Sequence, residues 1–187
     1  VDDLPKSDKL YTDLKFFENN FTGVMPLEIV VDTKEKRGVS RNFKNLVKID
    51  SLSQYIATIP DIARPLSITD GLKFAKQAFF DGDSNSYSMP SEFDLPALSQ
   101  YLNFRGEPGE TKNSFAKLVN TFMDSTKQQA RISVSMKDVG SKRLPEILDS
   151  IEHRANQIFP KDKYDVQLTG TSVTFLEGSR YIINGLK

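Results

Sequence analysis

Acidic and amide side chains recur at short spacing in the segment that begins at Asp81. With Asp81 as position one of a twelve-residue loop, Asp83 and Asn85 fall at positions three and five, and Glu92 falls at position twelve. EF-hand loops place oxygen ligands for calcium at this spacing, between two helices. Ser86 stands at position six, where such loops use glycine for a sharp turn. A polar loop that caps its neighbouring helices is therefore the favoured interpretation, and a calcium site is the alternative.

The chain offers few groups for catalysis. His153 is the only histidine and the sequence contains no cysteine, which excludes disulfides, thiolate metal sites and a cysteine nucleophile. His153 falls two residues after Ile151, outside the apolar stripe of its helix, so we expect a solvated side chain rather than a general base. P-loop, G-x-G-x-x-G and G-x-S-x-G patterns are also missing from the sequence. We expect no catalytic activity and no cofactor.

Charge and hydropathy argue against nucleic acid as the main partner and against a membrane-spanning segment. The 25 basic residues balance 25 acidic ones, so the chain has no net field to attract nucleic acid. No segment approaches the roughly 18 consecutive apolar residues of a membrane-spanning helix. The first residues, Val1-Asp2-Asp3, lack the basic and apolar regions of a signal peptide. Hydrophobic residues make up 38% of the chain and include 13 Phe, which is enough for a core.

Apolar periodicity divides the chain into helices and strands. Ser7 is expected to cap the first helix, Pro145 to lie in the first turn of a later one, and Ser67 and Asp70 to form a capping box. Residues 114–124 fit either element, and a helical turn followed by a strand is favoured. We predict strands at 24–33, 130–138 and 163–169, a short strand at 62–67, and helices at 8–20, 42–59, 68–80, 92–104, 142–159 and from about 172.

The order of these elements predicts an α+β fold. The second half of the chain is strand–helix–strand, and the first half repeats this order more loosely. Two such βαβ units with right-handed crossovers build a ferredoxin-like sandwich. We expect one domain over 1–187, or two intertwined subdomains, with a helical insertion at about 68–117 between the units.

Two pairs of adjacent phenylalanines, Phe16-Phe17 and Phe79-Phe80, fall on predicted helices. Neighbours on a helix diverge by about 100°, so one member of each pair tends to leave the core face. A broad buried stripe is the favoured interpretation. The alternative is that Phe16 and Phe80 belong to a docking surface or to the wall of a substrate path.

Three stretches carry a resemblance to a known family. They run from Phe16 through Gly23 to Thr33, from Ala130 to Asp138, and from Tyr164 to Phe175. The resemblance that they carry covers nearly the whole chain. In order and spacing they resemble the first large extracytoplasmic loop of exporters in the resistance–nodulation–division (RND) superfamily. The MMPL/Patched-like branch, which includes lipid exporters, is the most similar group.

The resemblance implies a periplasmic porter domain between the first and second transmembrane helices of a bacterial inner-membrane transporter. Export in this family is driven by protons that titrate residues in membrane helices, so no catalytic residue is carried over to this chain. The implied partners are the rest of the transporter, including a second extracytoplasmic loop, and a hydrophobic or amphiphilic substrate. Oligomerisation is left open.

Two other functions remain as alternatives. The first is a stand-alone ferredoxin-like binding or assembly module of the cell envelope. The second is a small ferredoxin-like enzyme such as an acyl-phosphate hydrolase, which would need an Arg and an Asn that converge on a phosphate. No loop motif in the sequence holds such a pair, and fold analogy alone carries little functional weight.

Overall fold

Six α-helices and three β-strands form the part of the chain that the computed structural model describes, which is residues 5, 7–21, 23, 25–94, 98 and 120–185. The three longer predicted strands are confirmed, and the helices agree with the predicted ones to within about three residues wherever they are described. In chain order the elements are α1 (Lys9–Phe21), β1 (Met25–Asp32), α2 (Gly38–Arg41), α3 (Phe43–Ala57), α4 (Ile68–Phe79), a 3-10 turn (Ser84–Ser86), β2 (Gln129–Met136), α5 (Gly140–Ile158), β3 (Asp165–Thr169) and α6 (Thr171–Gly185).

The strands form one antiparallel sheet with β1 in the centre. Ile29 of β1 lies opposite Ile132 of β2 on one side and Leu168 of β3 on the other. Helix α5 connects β2 to β3, so the first strand of the chain is inserted between two strands that follow each other in sequence. The described residues therefore have a mixed α/β fold with a three-stranded antiparallel sheet.

A short bridged segment lies along the outer edge of β2. The backbone N–H of Ala63 donates to the carbonyl of Ser135 at 2.8 Å, and Leu66 exchanges two backbone hydrogen bonds with Ser133 at 2.9 and 2.8 Å. The predicted strand at 62–67 is present only as these isolated bridges. Pro65 has no N–H to donate, which limits regular pairing at this point.

Alternating side chains of the sheet form the core. Leu27, Ile29 and Val31 of β1 are fully buried, because alternate residues of a strand point to the same face. On β2 the same face carries Ala130, Ile132, Val134 and Met136. Helices α3 and α5 cover this face with Ile49, Leu52, Ile56, Leu144, Ile147 and Ile151.

The opposite face of the sheet is polar and partly exposed. Ser133 donates a hydrogen bond to Glu28 Oε1 at 2.9 Å, and Glu28 Oε2 lies 3.6 Å from Arg131 Nε. These cross-strand contacts fix the register of β1 and β2 from the solvent side, as the apolar residues do from the core side.

Two local predictions are wrong. Asp8 rather than Ser7 caps α1, because its Oδ1 accepts the N–H of Leu10 at 2.9 Å. Helix α5 begins at Gly140, so Pro145 lies in its second turn, where its missing N–H leaves one helical bond unmade. The short helix α2, which buries Val39, was not predicted. The predicted helix at 92–104 and the start of the segment at 114–124 fall largely outside the described residues.

The chain enters and leaves the sheet at the same end. Glu28, the fourth of the eight residues of β1, lies opposite Thr169, the last residue of β3. Ser172, at the start of α6, donates through Oγ to the carbonyl of Pro26 at 2.9 Å. Gly23, which links α1 to β1, is buried against the backbone of Met136. Helices α1 and α6 therefore both join the sheet where β1 begins.

Both of these terminal helices expose apolar residues. None of the described side chains of α1 is buried, and Leu10 is 54% exposed. Helix α6 packs through Ser172 and Leu176, but beyond Leu176 its described side chains are exposed, including Tyr181 at 82% and Ile182 at 62%. Among the residues that the structure describes, no helix is both long and apolar enough to cross a membrane.

Candidate functional site

A groove lies beside the bridged edge of β2. It has a volume of about 320 Å³, which is at the lower end of the range for small-molecule sites. Its most exposed apolar side chains are Leu66 and Phe74, which keep 54% and 57% of their surface accessible. The residues that line it are Leu66, Ser67, Asp70, Gly71, Phe74, Tyr87 and Phe122.

The predicted capping box positions one wall of this groove. Ser67 Oγ accepts the N–H of Thr69 at 3.3 Å, and Asp70 Oδ2 accepts the N–H of Ser67 at 3.0 Å. These two bonds start α4 and fix its first turn. Asp70 and Phe74 are four residues apart on α4, so both face the groove.

A charged and aromatic pair forms the rim. Asp70 Oδ1 accepts hydrogen bonds from Tyr87 Oη at 3.2 Å and from Arg64 Nη2 at 3.3 Å. Arg64 Nη2 also donates to Tyr87 Oη at 3.0 Å, and the guanidinium lies 5.0 Å from the centre of the tyrosine ring. Burial, together with the negative charge of Asp70, raises the pKa of Tyr87 above its ordinary value. The phenol keeps its proton at neutral pH and donates a hydrogen bond to Asp70.

A buried ion pair connects this wall to α3. Asp50 is 5% exposed and its Oδ1 lies 2.5 Å from Lys73 Nζ. The same oxygen accepts from Thr69 Oγ1 at 3.2 Å, while Oδ2 accepts from Gln54 Nε2 at 2.6 Å. The Thr69 hydroxyl in turn contacts Ser67 Oγ at 2.8 Å, so the network runs from the core to the capping box. This network holds α4 firmly against α3 and keeps the groove in shape.

The polar groups of the groove are engaged with one another. Ser67 and Thr69 are fully buried, and both carboxylate oxygens of Asp70 accept hydrogen bonds from other residues. The surface left open is mostly carbon, with the Arg64–Asp70 ion pair at its edge. Such an arrangement is suited to binding an apolar chain next to a polar group.

A second set of carboxylates secures the turn between Phe122 and β2. Asp124 accepts backbone N–H groups of Gln128 and Gln129, both at 2.8 Å, and a bond from the Thr126 hydroxyl. Burial alone would raise the pKa of Asp124, but these hydrogen bonds outweigh it and lower the pKa. The pKa of Asp32 is lowered in the same way, because bonds from Gln129, the Lys34 backbone and Gln128 outweigh its burial. Both carboxylates therefore act as charged anchors of this turn at neutral pH.

The predicted calcium ligands lie in an exposed turn after α4. Asp83 Oδ1 accepts from the backbone N–H of Asn85 at 3.0 Å and from its side-chain Nδ2 at 3.1 Å, which caps the 3-10 turn. Asp81 and Glu92 are exposed. Within the described ranges, no three His, Cys, Asp or Glu side chains are grouped closely enough to hold a metal ion. Asp83 thus has the capping role of the favoured interpretation, and calcium uptake remains a matter for titration.

The other predicted site residues lie apart from the groove lining. Phe16 on α1 and Phe80 after α4 are 59% and 47% exposed, and Phe80 makes an edge-to-face contact with Phe79. A role of Phe16 and Phe80 in docking stays a prediction. His153 is exposed on α5, where its Nε2 lies 3.0 Å from Gln157 Nε2.

Sequence reasoning missed the groove itself. Arg64 and Tyr87 belong to segments without a recognisable motif, and they are brought together across 23 residues. The one signal in the sequence was the capping box. It sets where α4 begins and therefore which residues of α4 lie on the same face as Asp70.

Comparison with known proteins adds no assignment. No protein-family model matches the chain, and no curated protein matches it.

Proposed function

We propose that the chain is a periplasmic domain of a proton-driven membrane exporter of the RND type, held to the membrane part of the transporter at both ends. The observation that carries this proposal is that α1 and α6 join the sheet at the same end, next to Pro26. A domain inserted between two membrane spans has to return its chain to the surface from which it started. Adjacent connections at one end of a sheet meet this requirement without a long linker.

The topology supports a ferredoxin-like sandwich as the finer fold. In that fold two strand–helix–strand units are interleaved, so that each unit places its strands on either side of a strand of the other. Here β2 and β3 flank β1, and β1 and the bridged segment at 61–66 flank β2. The segment at 61–66 would be the reduced fourth strand of the sandwich.

The exposed apolar residues of α1 and α6 are typical of a domain that contacts other parts of a larger protein. Leu10 and Phe16 on α1, and Phe175, Tyr181 and Ile182 on α6, each keep more than half of their surface accessible. Large exposed apolar residues in sets of this kind mark surfaces that meet a partner. The partners we propose are the membrane helices of the same transporter and its second extracytoplasmic loop, the latter also meeting Phe80.

In this proposal the domain moves as a body and does not itself turn over substrate. The core of β1, β2, α3 and α5 is continuous, and the Asp50–Lys73 pair links α4 to it. Motions of the membrane part would be passed to the domain through α1 and α6 and would open or close a path for a hydrophobic or amphiphilic substrate.

Labelling in intact cells tests the location. The chain contains no cysteine, so Lys142→Cys, at an exposed position of α5, adds one reactive thiol to this domain of the full-length gene product. We expect a membrane-impermeant maleimide to label this thiol in intact cells as fully as in lysed cells. Ile151→Cys, which is fully buried in the same helix, is the matched control and should be labelled only after denaturation. Labelling of Lys142→Cys only after lysis would contradict the proposal.

A further inference from the structure

We propose that the groove between α4 and the bridged segment binds the alkyl chain of a monomeric anionic amphiphile, with the anionic group at Arg64. The walls that would receive the alkyl chain are Leu66, Phe74 and Phe122. Leu66 and Phe74 present apolar surface to solvent beside Ser67 and Gly71, which are buried. Burying that surface provides the free energy of binding, at roughly 25 cal/mol per Å².

The rim is an ion pair of Arg64 and Asp70 at 3.3 Å, and the unused donors of Arg64 would select the polar group of the ligand. Asp70 has both carboxylate oxygens occupied, by Ser67 on one side and by Arg64 and Tyr87 on the other. Arg64 is 62% exposed, and among the described residues its hydrogen bonds pass through Nη2 alone. The guanidinium therefore keeps donors at Nε and Nη1, and these match a carboxylate, sulfate or phosphate group.

The groove is also held in its shape before any ligand arrives. Tyr87 is fixed by two hydrogen bonds and by its contact with the Arg64 guanidinium. Phe74 lies one turn after Asp70, whose position the capping box sets, and α4 is anchored by the Asp50–Lys73 pair. A preformed site loses less conformational entropy on binding, which favours affinity for a small ligand.

A single tryptophan can report on this groove because the sequence contains none. In the purified chain carrying Phe74→Trp, we expect dodecanoate below its micellar concentration to shift the emission to the blue in a saturable manner. The control is Phe93→Trp, which replaces a phenylalanine that is 93% exposed and is not part of the groove lining. Its emission should not change. An equal shift at both positions would show non-specific adsorption and would overturn the proposal.

A second substitution tests the anionic group. Arg64→Gln in the Phe74→Trp background should weaken dodecanoate binding roughly fivefold, as expected for one exposed charge-assisted contact. Binding of the neutral dodecyl maltoside should change less than twofold. Arg154→Gln is the control, because Arg154 also lies against an aromatic ring, that of Tyr55 at 5.7 Å, on another helix. Equal loss with both amphiphiles would refute the role of Arg64.

The source of the amphiphile is tested with phosphatidylglycerol vesicles. We expect vesicles to leave the Phe74→Trp emission unchanged, since the groove takes a single dispersed chain. A shift with vesicles but not with dodecanoate would mean that this face docks on a membrane, and the proposal would be wrong. This inference does not depend on the attachment of α1 and α6, so a negative titration leaves the exporter proposal standing, and failed labelling of Lys142→Cys leaves the groove standing.

Discussion

Replacing Asp50 by alanine should lower the free energy of unfolding by about 3–5 kcal/mol. The substitution leaves the Lys73 ammonium, whose side chain is only 12% exposed, without its counter-charge. It also removes the acceptor for Thr69 and Gln54. Urea denaturation of the purified chain followed by circular dichroism measures this change.

A double variant distinguishes the free energy lost with the ion pair itself from the cost of leaving Lys73 buried without a counter-charge. Asp50→Leu combined with Lys73→Met replaces the ion pair by apolar side chains of similar size, which is often nearly neutral for a buried pair. We therefore expect the double variant to recover most of the stability that Asp50→Ala loses. If Asp50→Ala alone costs less than about 1 kcal/mol, the value of an exposed pair, then the Asp50–Lys73 pair is not buried in solution.

Replacing Gly23 by alanine should cost about 3 kcal/mol or more. Gly23 has a φ of +113°, and a Cβ atom built on it would lie 2.1 Å from the carbonyl carbon and oxygen of Met136. The clash is with backbone at the end of β2, so no side-chain rotation can relieve it. The same denaturation experiment measures the loss.

Gly178→Ala is the matched control for this glycine. Gly178 lies within α6 and a Cβ atom there would meet no atom within 4 Å. Because alanine is a better helix former than glycine, the control should gain roughly 0.5–1 kcal/mol. Similar effects of the two substitutions would contradict the close packing of Gly23 against β2.

The sheet could be predicted from local patterns because its inner face is regular. Alternating apolar residues identified β1 and β2, and the stripe of Leu144, Ile147 and Ile151 identified α5. In these elements apolar residues recur at the period of the strand or helix itself. The order of apolar and polar residues in the sequence was therefore enough to predict them.

The buried polar network could not be predicted in this way. The apolar stripe of α3 contains Leu46, Ile49 and Leu52, whereas its buried face also includes Asn45, Asp50 and Ser53. A polar residue next to a stripe is usually solvated, unless a partner from elsewhere in the chain covers it. For Asp50 that partner is Lys73, 23 positions later, and only the packing of α4 brings the two together.

The bridged segment at 61–66 shows a second limit of local patterns. Its residues have little strand character of their own, since Asp61 has a φ of +70° and Pro65 has no N–H. They are extended because β2 offers free backbone groups to Ala63 and Leu66. The groove, which is built on Leu66, therefore follows from tertiary pairing and not from a sequence motif.

A domain tethered to the membrane at both ends requires that α1 and α6 join the sheet at adjacent places. A pair of cysteines, Glu28→Cys and Thr169→Cys, tests it directly, because these residues lie opposite each other on β1 and β3. Opposed residues have Cα atoms about 4.5–5.5 Å apart, which is within the reach of a disulfide.

In the control pair, Asp32→Cys and Thr169→Cys, the partner of Asp32 is Asp165, so the two cysteines lie four strand positions apart, or about 13 Å. Mass spectrometry after air oxidation should show a disulfide in the first pair and free thiols in the second. Free thiols in the first pair, or a disulfide in the control, would contradict the placement of both terminal helices at one end of the sheet.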